Sequence, residues 1–238
     1  ITRPKPASVP IIIVGNIRVG GTGKTPIVIA ITERLKQLGW KPAIISRGYG
    51  SSIQNHPLQV KSSSDPSIVG DEPLLIAKRT HDQFPIWVFP SRKESIKALL
   101  KENPDVNVIV SDDGLQHRGL VRWPAREGGR DIEFVVRDSR GEGNRFLLPA
   151  GPLREPAERE RDAAGHRIGA IGRRLDAARP VGLRRVKPDG VAAVGDARIE
   201  RPVVADRGVE IANGANEDLR VDAELFGEFR QRVRLGHG

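Results

Sequence analysis

The chain of 238 residues contains no cysteine and no methionine, and aromatic residues make up only 4% of it. Without cysteine there can be no disulfide scaffold, no thiolate metal site and no cysteine nucleophile. No stretch approaches the roughly 20 apolar residues of a transmembrane helix, and no signal peptide is evident. These absences favour a protein of a reducing compartment whose chemistry depends on other residue types.

The net charge of +9 is spread along the chain rather than gathered in a basic block. Residues 1–117 hold 15 basic against 10 acidic residues, residues 118–156 hold 8 against 6, and residues 157–238 hold 16 against 14. The few aromatics do not interleave with the basic residues as a nucleic-acid stacking platform requires. We therefore expect no nucleic-acid partner, and instead attraction to phosphorylated ligands or an anionic membrane surface; no protein partner is evident.

The most informative segment is the glycine-rich run Gly15–Pro26, which directly follows the apolar run Val9–Val14. A strand, a glycine-rich turn ending in Gly-Lys-Thr and a helix together form a P-loop, whose backbone N–H groups surround phosphate. Lys24 is expected to reach the outer phosphates and the Thr25 hydroxyl to bind Mg²⁺. The residues predicted to bind the nucleoside triphosphate are Arg18, Val19, Gly20, Gly21, Thr22, Gly23, Lys24 and Thr25.

This segment departs from the usual pattern at one position, because Arg18 stands where G-x-x-x-x-G-K-[ST] has its first glycine. A bare Gly-Lys-Thr is also compatible with a flexible surface turn. The flanking sequence favours the P-loop: Pro26 suits a first helical turn, apolar residues then recur at helical spacing, and Gly39 can end the helix.

The rest of the first half alternates predicted strands with predicted helices. Strands are expected at 41–46, 85–89 and 106–110, a polar surface excursion or hairpin at 51–67, a helix opening at Gly70, and another at a Ser91/Glu94 capping box. The predicted fold over residues 9–156 is α/β, a P-loop NTPase-type parallel sheet with helices on both faces. In such sheets ligands bind beyond the carboxyl ends of the strands.

Two acidic pairs are candidates for the chemistry. Asp112 and Asp113 follow the predicted strand 106–110, where a carboxylate that holds Mg²⁺ belongs in a P-loop protein, although Asp-Asp-Gly also suits a simple turn. Asp71 and Glu72 open a predicted helix. They could merely complement the helix dipole, or one of them could deprotonate an attacking hydroxyl. Residue chemistry alone leaves these two alternatives even.

Five ordered blocks resemble the tetraacyldisaccharide 4′-kinases, the lipid A kinases of Gram-negative bacteria. That family also lacks the first P-loop glycine. The blocks are Val14–Pro26, Ser46–Gly50, Val69–Pro73, Asp112–His117 and Leu147–Pro156.

The resemblance implies transfer of the γ-phosphoryl group of ATP to the 4′-hydroxyl of an acylated glucosamine disaccharide 1-phosphate lipid. This phosphotransferase reaction gives lipid IVA at the cytoplasmic face of the bacterial inner membrane. It implies Asp71 as the base with Glu72 beside it, Lys24 and Thr25 on ATP and Mg²⁺, and Asp112 on the metal. The implied substrate residues are Arg47, Asp113, Gln116, His117 and Arg154; for His117 a purely structural role is equally open.

Other parts of the chain depart from the family. No hydrophobic helix precedes Ile1, so peripheral membrane association is expected, and residues 118–130 form a longer link than the family uses. We predict a kinase core domain at 1–156 and an atypical Arg-, Ala- and Gly-rich region at 157–238, either an appended domain or out-of-frame sequence. Because the family's second-half segments are absent there, ATP binding is expected with weak or absent phosphoryl transfer.

Two other functions remain compatible with the residues. One is another P-loop small-molecule kinase or ligase, with no preference for acylated sugars. The other is a membrane-associated ATPase switch, in which the Leu147–Pro156 block would have no role.

Overall fold

A seven-stranded, mostly parallel sheet forms the centre of the molecule. The computed structural model describes residues 7–21, 23–49, 52, 55–117, 119–122, 130–137 and 140–157, and the backbone of residues 166–169. The strands are β1 Ile11–Gly15, β2 Pro42–Ser46, β3 Leu58–Val60, β4 Ile86–Val88, β5 Val108–Asp112, β6 Ile132–Arg137 and β7 His166–Gly169. Their order is β3-β4-β2-β5-β1-β6-β7, and only the β3–β4 pair is antiparallel.

Helices cover both faces of the sheet, as predicted. They are α1 Lys24–Gln37, α2 Pro66–Val69, α3 Asp71–Arg79 and α4 Arg92–Glu102. Because successive strand side chains point to opposite faces, Ile12 and Val14 of β1 join the apolar cluster of α1 and α3, whereas Ile11 and Ile13 join that of α4. Strands buried on both faces explain why the sequence shows continuous apolar runs rather than alternation.

The helix that follows β1 has the boundaries expected from its sequence. Gly23 precedes it with φ of 75°, and Gly39 follows it with φ of 84°. Both are left-handed conformations that residues with a Cβ rarely adopt. Pro26 lies in the first turn, where its missing N–H leaves no intrahelical hydrogen bond unmade. The prediction of a strand, glycine turn and helix is therefore confirmed.

Two local predictions need correction. Strand β5 runs from 108 to 112 rather than from 106 to 110, so Asp112 is the last residue of the strand. Ser91 does precede α4, but its side chain makes no capping hydrogen bond, so the predicted capping box is wrong. The polar stretch predicted at 51–67 contains the short edge strand β3 and the beginning of α2, where Asp65 accepts a hydrogen bond from the Ser67 N–H.

The predicted domain boundary at residue 156 stays a prediction. Strand β7 lies beyond it and pairs with β6, whereas residues 158–165 and 170–238 lie outside the described part of the chain, as do residues 118 and 123–129 of the predicted insert. Within the described part, no helix combines the length and the apolar character needed to cross a bilayer.

Candidate active site

An open cavity of about 640 Å³ lies at the carboxyl edge of the sheet. The ends of β1, β2 and β5 meet there with the beginnings of α1, α3 and α4, as the rule for open parallel sheets predicts. Residues from widely separated blocks thus share one cavity. Its lining comprises Gly20, Gly21, Gly23, Lys24, Thr25, Ser46, Arg47, Tyr49, Glu72, Arg92, Asp113, Gln116, His117 and Arg154.

The glycine turn positions Lys24 at the first turn of α1, inside the cavity. The Lys24 ammonium donates to Asn16 Oδ1 at 3.1 Å and lies 3.4 Å from Asp113 Oδ1, an ion pair rather than an aligned hydrogen bond. Asn16 is fully buried, and its amide donates to the Arg18 carbonyl at 2.6 Å. Asn16 therefore ties the turn to the lysine, and the amino end of α1 and the ammonium together suit a phosphate group.

Asp112 is a buried carboxyl with one unpartnered oxygen. It is the partner of Val14 in the β1–β5 register and only 1% exposed. Ser46 Oγ lies 3.4 Å from Oδ2, while Oδ1 finds no hydrogen-bond donor in the described residues. Burial raises the pKa of Asp112 to about 6, with Glu72 and Asp113 adding to the rise and Lys24 and Arg92 opposing it. A buried carboxyl with an orphaned oxygen fits a cation.

Asp113 has a different environment although it is the next residue. It adopts φ of 48°, and its side chain is 35% exposed. Its second oxygen lies 3.5 Å from Arg154 Nη1, so the carboxylate sits between Lys24 and an arginine 41 residues later in the chain. The turn that follows Asp113 is held by Arg122, which donates to the carbonyls of Gly114 and Leu115 at 2.6 and 2.7 Å.

Arg92 is a site residue that the sequence analysis missed. It is 1% exposed, and Nη2 donates to the Asp112 carbonyl at 2.7 Å. Its Nε and Nη1 find no acceptor among the described residues. Burial lowers the pKa of Arg92 to about 10, which leaves it cationic at neutral pH. The available signal was its place just after β4, at the edge where ligands bind.

Gln116 and His117 follow the aspartates into the same cavity. Gln116 Nε2 donates to the Asn16 carbonyl at 2.8 Å, which joins this segment to the glycine turn. Burial, followed by the nearby Arg92, Arg122 and Arg47, lowers the pKa of His117, which favours the neutral imidazole. Both positions agree with the predicted cleft, and their roles stay predictions.

The first turn of α3 brings one member of the second acidic pair to the cavity. Glu72 lines it, whereas the neighbouring Asp71 is exposed and outside the lining. Gly70 has φ of 89°, and a Cβ there would lie 3.0 Å from the Tyr49 carbonyl, so only glycine lets the Arg47–Tyr49 segment approach α3 this closely. That approach places Arg47 and Tyr49 in the lining; sequence analysis gave Tyr49 no role.

Not every predicted phosphate-binding side chain faces the cavity. The Arg18 guanidinium donates to the Gly141 carbonyl at 2.9 Å and lies outside the lining. The Val19 N–H donates to the Pro152 carbonyl at 2.9 Å. Thr22 lies outside the described residues. Arg154, by contrast, reaches the cavity as predicted.

The fold and the site together define a P-loop α/β protein, with a glycine turn, a helical lysine and an aspartate at the end of the adjacent strand. A family model described as tetraacyldisaccharide-1-P 4′-kinase matches residues 1–185. The chain belongs to this family, which confirms the resemblance and the predicted fold class.

Curated relatives and a solved structure agree with this assignment. The tetraacyldisaccharide 4′-kinase of Polynucleobacter necessarius is 80% identical over 164 residues, which are 68% of this chain and 45% of the relative. That of Pasteurella multocida is 53% identical over 150 residues, 63% of this chain and 43% of the relative. The chain thus spans less than half the length of these relatives. A crystal structure of LpxK from Aquifex aeolicus in complex with ATP is similar at 30% identity, with a TM-score of 0.59, over 71% of this chain and 50% of that one.

Proposed function

We propose that this chain forms the ATP-binding, phosphoryl-transferring part of a tetraacyldisaccharide 4′-kinase. The reaction moves the γ-phosphoryl group of ATP to the 4′-hydroxyl of an acylated glucosamine disaccharide 1-phosphate lipid and gives lipid IVA. The observation that carries the proposal is one cavity lined by the glycine turn and by Lys24, with Asp112 buried next to the lining residue Asp113. The Oδ1 atom of Asp112 lacks a hydrogen-bond donor among the described residues.

The nucleotide and its metal fit the donor set of this cavity. When bound, Mg²⁺-ATP supplies the phosphoryl group and neutralises part of the negative charge that develops on it. The backbone of Gly20–Lys24 and the Lys24 ammonium would hold the phosphates, and Thr25 and Asp112 would hold Mg²⁺. No group of three or more His, Asp or Glu side chains suited to a metal occurs in the described residues. Mg²⁺ commonly binds one or two carboxylates together with phosphates and water.

Residues that line the acceptor side of the cavity or lie just outside its lining provide a base and cations. Asp71 would take the proton from the sugar hydroxyl, with Glu72 beside it at the start of α3. Arg154 is proposed to bind substrate phosphate, and the buried cation Arg92 to stabilise charge on the transferred group. Arg47, Asp113, Gln116 and His117 are proposed to line the sugar site.

The lipid substrate requires that this cavity meet a membrane surface, at the cytoplasmic face of the inner membrane. Three consecutive apolar side chains support the proposal: Phe146, Leu147 and Leu148 are 63%, 45% and 54% exposed. Phe146 and Leu148 form backbone hydrogen bonds with Leu153, the residue before Arg154, so an apolar surface adjoins the site that would take the headgroup. Burying such side chains at the headgroup boundary is favourable.

The test is incubation of ATP labelled at the γ-phosphate with the acylated disaccharide 1-phosphate. It is run on this chain and on this chain joined to the remaining part of the Polynucleobacter relative. We expect label at the 4′-position with the joined chain, weak or no transfer with this chain alone, and none from Lys24→Ala in either. Absence of transfer from a joined chain that binds ATP would overturn the proposal. Release of phosphate at a rate that does not depend on the lipid would favour the alternative function, an ATPase switch.

A further inference from the structure

Residues 140–154, which we call the strap, lie across the glycine turn. The Val19 N–H donates to the Pro152 carbonyl at 2.9 Å, and the Arg154 N–H donates to the Ile17 carbonyl at 2.7 Å. Arg18 and Leu153 form an antiparallel bridge between these two bonds. The strap therefore pairs with the turn as a short piece of sheet, although the two segments are far apart in the sequence.

Arg18 adds a side-chain bond to this backbone pairing. Its Nη1 donates to the Gly141 carbonyl at 2.9 Å and lies 3.3 Å from the Arg140 carbonyl. A second side-chain bond runs from the strap to the glycine turn, in which Arg140 Nη2 donates to the Gly21 carbonyl at 3.0 Å. A glycine at position 18, as in the usual P-loop pattern, could not make the bond to Gly141.

The strap itself is held in one shape by local bonds and by a buried anchor. The Leu148 N–H donates to the Leu153 carbonyl, and the Gly151 N–H to the Leu147 carbonyl, both at 2.9 Å. Leu153 is fully buried in a cluster with Ile17, Leu115, Val135 and Ala157. The strap is therefore one folded segment that contacts the glycine turn at both of its ends.

The second of these ends carries Arg154 into the cavity. Its guanidinium lies 3.5 Å from Asp113 Oδ2, and the other Asp113 oxygen lies 3.4 Å from the Lys24 ammonium. A closed series of contacts thus runs from Arg18 through the strap to Arg154, Asp113 and Lys24, and back to the turn that holds Arg18.

We propose that Arg18 is a positioning residue: it fixes the strap on the glycine turn and so holds Arg154 at the mouth of the phosphate site. It takes this role in place of the loop glycine, and its guanidinium acts on the strap carbonyls rather than on phosphate. The expected change in ATP affinity rests on the proposed function, because it requires that the site bind ATP. The expected change in the position of the strap does not depend on it.

The test compares Arg18→Ala, Arg18→Lys, Arg154→Ala and the Arg18→Ala/Arg154→Ala double variant, with Arg79→Ala at the exposed end of α3 as the matched arginine control. Amide hydrogen exchange is followed at Val19 and Arg154, and Mg²⁺-ATP affinity is measured by calorimetry on the full chain. Thermal melting confirms that each variant folds; if Arg18→Ala does not, Arg18→Lys against the parent chain carries the comparison.

We expect Arg18→Ala to speed exchange at both amides about 10-fold, the effect of losing roughly one hydrogen bond. ATP affinity should fall about 5-fold to 10-fold, because Arg154 contacts the Asp113 carboxylate that also pairs with Lys24, and Arg18→Lys should recover part of both losses. Adding Arg154→Ala to Arg18→Ala should cost less than about twofold further, because Arg154 is already displaced, whereas independent residues would give additive losses.

Unchanged exchange in Arg18→Ala, or additive losses of affinity, would overturn the proposal. A chain that binds no ATP at all would contradict the proposed function instead, and the exchange rates would then decide alone whether Arg18 holds the strap.

Discussion

Two acidic pairs lie at the carboxyl edge of the sheet, Asp112 with Asp113 at the end of β5 and Asp71 with Glu72 at the start of α3. Asp112 is buried, lacks a donor to Oδ1 in the described residues and has its pKa raised to about 6. Asp71 and Glu72 are exposed in a helical first turn. Burial thus sets Asp112 apart from the α3 carboxylates, which suits Asp112 to a fixed cation and the α3 pair to an incoming substrate.

One member of the α3 pair also affects the pKa of Asp112. Glu72 is the largest electrostatic contribution to the raised pKa of Asp112, ahead of its neighbour Asp113. Because burial and the negative charge of Glu72 both disfavour ionised Asp112, a cation placed between the two side chains would offset both effects. The comparison can therefore be tested one carboxylate at a time.

The largest effect is expected from Asp71→Asn in the chain joined to the rest of the Polynucleobacter relative. Phosphoryl transfer should fall about 10²–10⁴-fold, the range for loss of a general base. ATP affinity should stay within about twofold, because Asp71 lies outside the cavity lining. Single-turnover kinetics and calorimetry separate the two quantities, and a retained transfer rate would remove Asp71 as the base.

Asp112→Asn should weaken metal binding rather than remove the general base. We expect Mg²⁺-ATP affinity to fall about 100-fold, because an anionic ligand is lost from the metal, while affinity measured without Mg²⁺ changes little. Asp105→Asn, at an exposed ion pair with Lys41, is the control. Equal dependence on Mg²⁺ in Asp112→Asn and the parent chain would show that Asp112 does not hold the metal.

The same variant should be more stable than the parent chain when no nucleotide is present. The folded pKa of Asp112, about 6, lies above its ordinary value of 3.8. The folded state therefore keeps a proton that the unfolded state releases, and stability is lost as pH rises from about 4 to 6. At pH 7 Asp112→Asn should gain about 1–3 kcal/mol. Urea unfolding at pH 4 and pH 7 measures this gain; equal stability changes in both chains would contradict it.

The smallest effect is expected from Glu72→Gln. Removing the Glu72 charge should lower the pKa of Asp112 and move the pH-dependent loss of stability toward acid, while burial keeps that pKa above its ordinary value. Asp71→Asn is the matched control and should leave the transition in place. If both variants shift it equally, the two carboxylates of α3 are not distinct in the way proposed here.

The sequence was sufficient to predict the conformation of the glycine turn and the place of Asp112 at the end of a strand. Gly23 and Gly39 occupy conformations that favour glycine, and an apolar strand that ends in aspartate next to β1 follows from α/β topology. These features are local, or depend on strand order that recurs throughout the fold class.

The burial of Arg92 and the contacts of the strap could not be foreseen by the same reasoning. An arginine at a helix start resembles a solvated surface charge, and its burial beneath the Asp112–Asp113 turn depends on how α4 packs against the sheet. The bond from Arg18 to Gly141 joins segments 123 residues apart, which no local pattern encodes. The sequence therefore missed contacts that depend on tertiary packing, whereas it predicted the local conformation of the glycine turn.

The most direct test of the central claim is calorimetric titration of ATP into this chain and into Lys24→Ala, first with Mg²⁺ and then with the metal chelated. We predict one saturable site in the parent chain, weaker binding without Mg²⁺, and at least about 100-fold lower affinity in Lys24→Ala, because the cation that meets the outer phosphates is gone. Absence of binding by the parent chain, or equal affinity in Lys24→Ala, would contradict the assignment of this cavity as an ATP site.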